Sequence, residues 1–361
     1  MSTETYSETQ TEKHGLVLNN ENQSALAVTN FNEPLKVIFD HPIPKLGDYE
    51  ILVNNKAIGL NPIDWKGKKY GFGIYHFPWI NGRESSGVVV KKGKNVDEFE
   101  LGDRVIISST SYRDNRTSTF QQYTAIDSRL AWNLPDSLSF EDGATVGVGL
   151  VTAGVLLYNS LELELNEKAK TKKAATLLLW GGATVVGLYV TQLAKIHGLK
   201  VISVASLENE EYIKSLGVDV VIDRHLDISE ISKKVLEVAE DGIDYGIDCV
   251  SRETSAVVID ILSKSSSKLK EARPIFSGIV SIPKYVPENI SHKEVIIKKF
   301  HEDVNFGKSL VDITAGYLST GQIQPVRYKS YNGGLHTIDG ALKELELLGA
   351  KAEKYVVSVQ G

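Results

Sequence analysis

The chain reads as an α/β protein of two domains, a β-rich domain first and a doubly wound parallel-sheet domain after it. Three observations predict this: its 361 residues, a change of texture near residue 176, and a glycine turn where the second texture begins. The length is about two domains' worth at roughly 100–200 residues per domain. With 42% hydrophobic and 24% charged residues, the chain is neither disordered nor fibrous. Lys+Arg 40 against Asp+Glu 46 leaves a net charge of −6, without the basic excess of a nucleic-acid binder, so no nucleic-acid partner is expected. The single cysteine, Cys249, excludes an internal disulfide and a multi-thiolate zinc site and suits a reducing compartment. A cytoplasmic location is expected, with the nucleus left open.

Residues 1–15 carry Thr, Ser and Glu without an apolar block, so they read as a disordered tail rather than a targeting peptide. From 24 to about 134, short apolar runs between Gly, Pro and Asp turns read as strands, with little helical periodicity. The most apolar run, 146–158, holds three glycines and falls short of the roughly 18–20 residues of a bilayer span, so no membrane association is expected. The charged stretch 162–173 reads as a solvated loop. Strands then alternate with helices: strand 176–180, helix 185–197, strand 200–205, helix 208–216, strand 218–222. The alternation continues with helix 228–239, strand 245–250, helix 254–263 and strand 274–280. That order implies right-handed crossovers and a parallel sheet covered on both faces. Helix 303–319, strand 322–328, helix 335–348 and strand 354–359 either extend this domain or return to the first.

The turn Gly181-Gly182-Ala183-Thr184-Val185-Val186-Gly187 links the strand at 176 to a helix, the context in which a dinucleotide fingerprint is credible. Helix-terminal N–H groups and aligned peptide dipoles favour a pyrophosphate there, and Gly187 permits close helix–strand packing. Thr184 stands where the fingerprint has its middle glycine, so its hydroxyl is expected to donate to the pyrophosphate. A tight turn without a ligand is the alternative.

Several segments, collinear over residues 24–359, carry a family likeness. Asn61-Pro-Ile-Asp-Trp-Lys66, Gly82-Arg-Glu-Ser-Ser-Gly-Val-Val, Gly102-Asp-Arg-Val, Gly149-Leu-Val-Thr-Ala-Gly, Trp180-Gly-Gly-Ala-Thr-Val-Val-Gly, Asp248-Cys-Val-Ser, Gly333-Gly-Leu and Glu353-Lys-Tyr-Val-Val resemble the medium-chain dehydrogenase/reductase superfamily. Within it they resemble the zinc-independent fungal branch of enoyl-reductase-like and quinone-oxidoreductase-like proteins. The resemblance implies a GroES-like catalytic domain over 16–145 and 305–361, a Rossmann NAD(P)-binding domain over 146–304, a cleft between them for a small electrophilic substrate, and a homodimer. Zinc ligands of relatives fall at Asn61 or its neighbour, Arg83 and about Gly149, none of which is a zinc ligand, so no metal is expected.

The resemblance also places Asn61, Asp64, Lys66 and Tyr70 beside the nicotinamide. Without a Lewis acid, charge on the substrate oxygen calls for a hydrogen-bond donor, and the Lys66 ammonium is the sharpest candidate. Its bland alternative is a solvated lysine beside Lys68 and Lys69. Tyr70 is a second donor or a packing ring; Asp64 orients Lys66 or caps the turn. Pro62, Thr152, Val250, Ser251, Ser277, Gly278, Gly333 and Gly334 complete the implied cofactor contacts, with Cys249, for which a buried inert thiol at the end of an apolar strand is the better reading. His76, His292 and His301 share no ligand spacing.

The second strand of the parallel sheet ends at Ala205 and Ser206 without the carboxylate that NAD-specific domains use on the ribose, leaving room for a 2′-phosphate. Arg224 would meet that phosphate, Glu208 opposes it, and Asn209 lies beside it. NADPH is the expected cofactor, with NADH also used. The expected activity is hydride transfer to an activated C=C or C=O in an enal, enone, quinone or aldehyde. The alternatives are a trans-acting enoyl reductase of a polyketide pathway and a non-enzymatic NAD(P)H-binding structural or regulatory protein.

Overall fold

The structure is a computed structural model that describes residues 21–166, 175–265 and 273–359. The expected tail at 1–15, and 167–173 of the expected charged loop, lie outside those residues.

The second texture folds as expected. Thr176–Trp180, Lys200–Ala205, Val220–Asp223, Tyr245–Asp248, Ile275–Gly278 and Ser291–His292 form one parallel sheet. Numbered along this sheet's own chain order, they lie 3-2-1-4-5-6, the doubly wound arrangement whose switch point lies beside its first strand. Thr176–Trp180 is buried on both faces, which explains its unbroken apolar run.

The first texture gives two further sheets, antiparallel throughout except where Tyr328–Asn332 and Lys354–Ser358 pair in parallel. Asn22–Val28 pairs with Lys36–Pro42 on one side and Trp79–Ile80 on the other. A larger sheet carries Tyr328–Asn332, Lys354–Ser358, Glu50–Leu60, Glu84–Lys92, Arg104–Ser108 and Ala131–Asn133 in that order, and Tyr123–Asp127 pairs with Glu50–Leu60. The chain end therefore returns to the first domain: Val356 lies opposite Gly59, and Tyr355 opposite Leu60.

Three expectations need correction. The strand expected at 322–328 is Tyr328–Asn332. Pro325 has no N–H, and the backbone before the strand bonds to side chains of the parallel-sheet domain instead: Gln324 N–H to Gln192 Oε1 at 2.7 Å and Arg327 N–H to the Tyr212 hydroxyl at 3.0 Å. A helix, Pro62–Tyr70, interrupts the β-rich region where the periodicity showed none, because proline at its first position and the Asp64 carboxylate on the Asn61 N–H start it without an apolar stripe. The apolar run at 146–158 belongs to a helical stretch, Phe140–Ser160, of 21 residues, long and apolar enough for a bilayer by composition alone. Here 78% of its most apolar window is buried inside the fold. It lies against the helix Val185–Ile196 and carries Val146, Leu150, Val151 and Leu157 into a core shared with the parallel sheet.

That core also binds the two domains. Trp132 stacks on Phe300 with ring centres 5.9 Å apart, and its indole N–H donates to Thr314 at 2.9 Å. Backbones approach just as closely in the first domain. A Cβ on Gly59 would stand 2.1 Å from the Ala144 carbonyl oxygen and 2.7 Å from Glu84 Cγ, whereas one on Gly316, exposed in the helix Val304–Ser319, would meet nothing. Gly59→Ala should therefore cost about 1–3 kcal/mol or more through overpacking, while Gly316→Ala should gain about 0.5–1 kcal/mol from helix propensity. Urea unfolding of the two variants checks the opposite signs.

Candidate active site

Four chain segments meet in a buried polar knot. Glu84 opens the strand Glu84–Lys92, Lys354 opens the last strand, Asn61 follows Glu50–Leu60, and Val148 lies in the first turn of the helix Gly147–Gly154. Glu84 is 0% and Lys354 2% exposed, and the two form an ion pair. The Asn61 amide bridges them, accepting from Lys354 Nζ at 2.7 Å and donating to Glu84 Oε1 at 2.7 Å. The Val148 N–H donates to Glu84 Oε2 at 2.9 Å, setting the carboxylate at the positive end of that helix. Charges so deeply buried persist only when paired and hydrogen-bonded. These are.

Beside the knot lies a second pair of charges that is not satisfied. Asp64 Oδ2 accepts from the Asn61 N–H at 2.8 Å, closing the start of the helix Pro62–Tyr70, but its buried Oδ1 has no partner. Arg83, 4% exposed, holds its guanidinium carbon 4.6 Å from the centre of the Tyr112 ring, and its buried Nη1 has no partner either. Burial raises the Asp64 carboxyl to about 6, with the Asn61 hydrogen bond and the charges of Arg83 and Lys354 holding it back and Glu84 adding to the rise. Burial lowers Arg83, opposed by Asp64.

The dinucleotide turn adjoins the Glu84–Lys354 knot. Gly181 has φ +88°, and a Cβ there would reach Val250 at 2.7 Å; one on Gly187 would lie 2.4 Å from the Gly181 carbonyl oxygen. The expected close packing at Gly187 is therefore present. Helix Val185–Ile196 starts directly after Thr184, so the N–H groups of Val185 and Val186 have no carbonyl within the helix to reach. This turn fits a pyrophosphate. The role expected for Thr184 is corrected: its hydroxyl donates to the Gly181 carbonyl at 2.8 Å and accepts from the Gly187 N–H at 3.1 Å, so its proton serves the turn and the cap. Two contacts join the turn to the knot. The Ala183 carbonyl accepts from the Ala352 N–H at 3.1 Å, two residues before Lys354, and a Cβ on Gly149, next to Val148, would lie 2.8 Å from Val185.

At the far end of the second strand, Arg224 donates to the Ser206 hydroxyl at 2.6 Å, bringing together the two residues expected at a 2′-phosphate. Asp223 is occupied with His225 at 2.9 Å. Glu208 is exposed in the turn Leu207–Asn209, and Asn209 accepts from Arg327 at 2.6 Å. At the fourth strand, Asp248 Oδ1 accepts from the N–H groups of Val250 and Ser251 at 3.0 Å each, fixing the rim of the cleft; Ser251 caps the helix Arg252–Lys264. Cys249 is buried and burial pushes its thiol pKa up, as an inert thiol requires. The Ser277 hydroxyl donates to the Lys293 carbonyl at 2.9 Å, Gly278 follows it at the strand end, and the Thr152 hydroxyl donates to the Val148 carbonyl at 2.7 Å.

Other expected residues lie apart. Gly333 and Gly334 follow the end of Tyr328–Asn332 that pairs with Ser358, whereas Lys354 pairs with Tyr328, so roughly 17 Å of strand separates them from the knot. They line a different cleft, of about 370 Å³, with Ser24, Phe39 and Gln122. Lys66 is half-buried and makes no hydrogen bond or ion pair among the described residues; its ammonium lies 5.5 Å from the Trp65 ring centre. Tyr70 is 66% exposed, near Trp65 and Lys69. Asp64 caps the helix and does not touch Lys66. Glu84, Lys354 and Tyr112 were absent from the sequence candidates; an acid and a base each at the head of a strand that turns apolar were the available signal. Among the described residues, no three His, Cys, Asp or Glu side chains are grouped to hold a metal ion. The positions matching zinc ligands do not fit zinc: Asn61 is locked in the knot, Arg83 is a cation, and Gly149 packs against Tyr189.

The raised Asp64 carboxyl sets a pH dependence. Between about 3.8, its unfolded value, and about 6 the unfolded chain loses this proton first, so stability falls as pH rises, by roughly 3 kcal/mol in all. Asp64→Asn keeps an acceptor for the Asn61 N–H and removes the charge. Relative to wild type it should gain stability steadily from pH 4 to pH 7 in urea unfolding.

Comparison with known proteins agrees with this geometry. Residues 47–136 match the alcohol dehydrogenase GroES-like domain and residues 185–267 the zinc-binding dehydrogenase domain. The chain is 31% identical over 349 residues to a zinc-type alcohol dehydrogenase-like protein of Schizosaccharomyces pombe, covering 90% of this chain and 97% of that one. It is 29% identical over 333 residues to the trans-enoyl reductase tndF of Aspergillus flavipes, covering 88% and 94%. A mycobacterial protein solved in complex with NADPH shares the fold at a TM-score of 0.74 and 23% identity, over 93% of this chain and 99% of that one. With a GroES-like domain, a 3-2-1-4-5-6 nucleotide sheet and a chain end that returns to the first domain, this chain belongs to the medium-chain dehydrogenase/reductase superfamily.

Proposed function

We propose that the protein is an NADPH-dependent reductase of a C=C bond conjugated to a carbonyl, as in an enal, an enone or a quinone. The observation that carries this reading is the attachment of the dinucleotide turn to the charged knot on two sides, through Ala183–Ala352 and Gly149–Val185. In this reading the nicotinamide lies on the side of the knot that carries Asp64, Arg83 and the helix that bears Lys66. When bound, the cofactor supplies a hydride. The residues supply the rest: Gly181, Gly182, Ala183, Val185 and Val186 hold the pyrophosphate, the Val250–Ser251 rim bounds the nicotinamide side, and the Lys66 ammonium gives the one proton that the enolate takes up after the hydride and regains it from solvent. Ser206 and Arg224 favour NADPH over NADH, since the 2.6 Å contact presents a hydroxyl and a cation to a 2′-phosphate. The name of the Aspergillus flavipes relative supports a second reading with the same chemistry, a trans-acting enoyl reductase whose enoyl group arrives on a carrier protein.

Loss of absorbance at the reduced-nicotinamide band, followed with a panel of enals, quinones and aldehydes, tests the reading. NADPH binding without turnover of any of them would point to a non-catalytic role. Lys66→Ala should lower kcat by about 10²–10³ with little change in cofactor Kd, the usual cost of losing one donor to a developing oxyanion. Arg224→Ala should remove a preference for NADPH of roughly 10- to 150-fold in kcat/KM, the equivalent of one charged hydrogen bond. Glu208→Lys should increase that preference.

A further inference from the structure

We propose that Arg83 binds the carbonyl or carboxylate oxygen of a planar, conjugated substrate, whose body lies against Tyr112, Phe72 and Tyr75. The inference rests on the reductase reading for the identity of the substrate and on separate observations for the site. Arg83 is 4% exposed, yet its side chain makes no hydrogen bond and no ion pair among the described residues, and its buried Nη1 is unpartnered. A buried donor left without an acceptor costs about 1–3 kcal/mol, more when charged, and natural folds seldom leave one outside a functional site. Asp64, the nearby opposite charge, does not neutralise it by contact: its Oδ2 is given to the Asn61 N–H, and its own Oδ1 is equally unpartnered. The knot behind it is saturated, since Lys354, Asn61 and Val148 occupy Glu84. Among the described residues, Arg83 Nη1 thus faces no acceptor.

The surroundings state what kind of molecule fits. Tyr112 lies over the guanidinium at 4.6 Å, and Phe72 contacts Tyr112 with ring centres 6.5 Å apart. Tyr75 is close enough for its hydroxyl to affect Arg83 electrostatically. Phe72 and Tyr75 are 49% and 55% exposed, so aromatic surface stands open next to a buried cation. An apolar planar body with one oxygen acceptor at its end matches both features: the rings take the π system, and Nη1 takes the oxygen. A short aliphatic aldehyde would use only the second. The same donor would strengthen its hydrogen bond as negative charge grows on that oxygen.

The test reads binding as well as turnover. In the NADPH complex of the full chain, trans-cinnamate, a planar carboxylate, is titrated calorimetrically against wild type, Arg83→Gln and Arg83→Lys, and trans-cinnamaldehyde is used as substrate. Arg83→Gln should weaken cinnamate at least tenfold and lower kcat/KM for cinnamaldehyde about 10²-fold, with NADPH Kd within twofold of wild type. Arg83→Lys should fall between the two. If Arg83→Gln no longer binds NADPH and so has lost its fold, the lysine variant decides, a threefold or greater loss of cinnamate affinity supporting the assignment. Equal cinnamate binding by wild type and a folded variant, or none by wild type, overturns it. Arg83-dependent cinnamate binding in a protein that reduces nothing would retain the anchor and reject the reductase reading.

Discussion

The buried Glu84–Lys354 pair is the constraint on which the site depends. An ion pair removed from water carries a large desolvation cost, and it survives only where every remaining lone pair and proton finds a partner. Asn61 and Val148 are those partners, and together the four residues clamp two strand starts, a strand end and a helix N-terminus to one point. The backbones around Glu84 must approach closely, and glycine at 59 and 147 allows it. Because Lys354 lies near the C-terminus, the first domain is completed only when the chain returns from the nucleotide domain. The turn that brings it back also touches the dinucleotide loop, through Ala352 and Ala183, so the position of the cofactor and that of the knot are set together.

The contrast between the two charged pairs separates scaffold from chemistry. In the knot every polar atom is engaged, and the result is rigidity. At Asp64 and Arg83, buried opposite charges stand close enough to perturb each other, yet among the described residues Asp64 Oδ1 and Arg83 Nη1 find no hydrogen-bond partner. One ion pair is fully satisfied and its neighbours are left incomplete, and on that difference the proposed role of Arg83 rests. The nearby aromatic rings extend that unsatisfied point into a surface with a shape preference.

The parallel domain was legible because its signals are local: unbroken apolar strands, helices of regular period, and a glycine turn whose φ and close packing are properties of the turn itself. Ser206 and Arg224, singled out together in the sequence, touch because they follow the ends of adjacent strands that the sheet order brings side by side. Thr184 was identified but given the wrong partner, because a hydroxyl at a helix start has a nearer acceptor in its own turn than any ligand. Gly333 and Gly334 were carried over with a motif, and the strand that precedes them runs away from the cleft. Lys66 was recognised by residue type and motif, while its surroundings, an indole ring and no ion pair among the described residues, depend on how the short helix Pro62–Tyr70 is turned.

By itself the sequence determined the two textures, the nucleotide turn, the absence of thiolate and imidazole at the expected metal positions, and the collinear motifs that carry the family. These are composition, period and order, and each is fixed within a few residues of chain. Only the tertiary structure decided which buried charges are paired. Lys354 and Glu84 are remote in sequence, and Arg83 adjoins Glu84 yet faces Tyr112 because successive residues entering a strand point to opposite faces. Whether a charge is satisfied is a property of its three-dimensional neighbours, and so the difference between the clamped pair and the incompletely bonded one appears only once the chain has closed on itself.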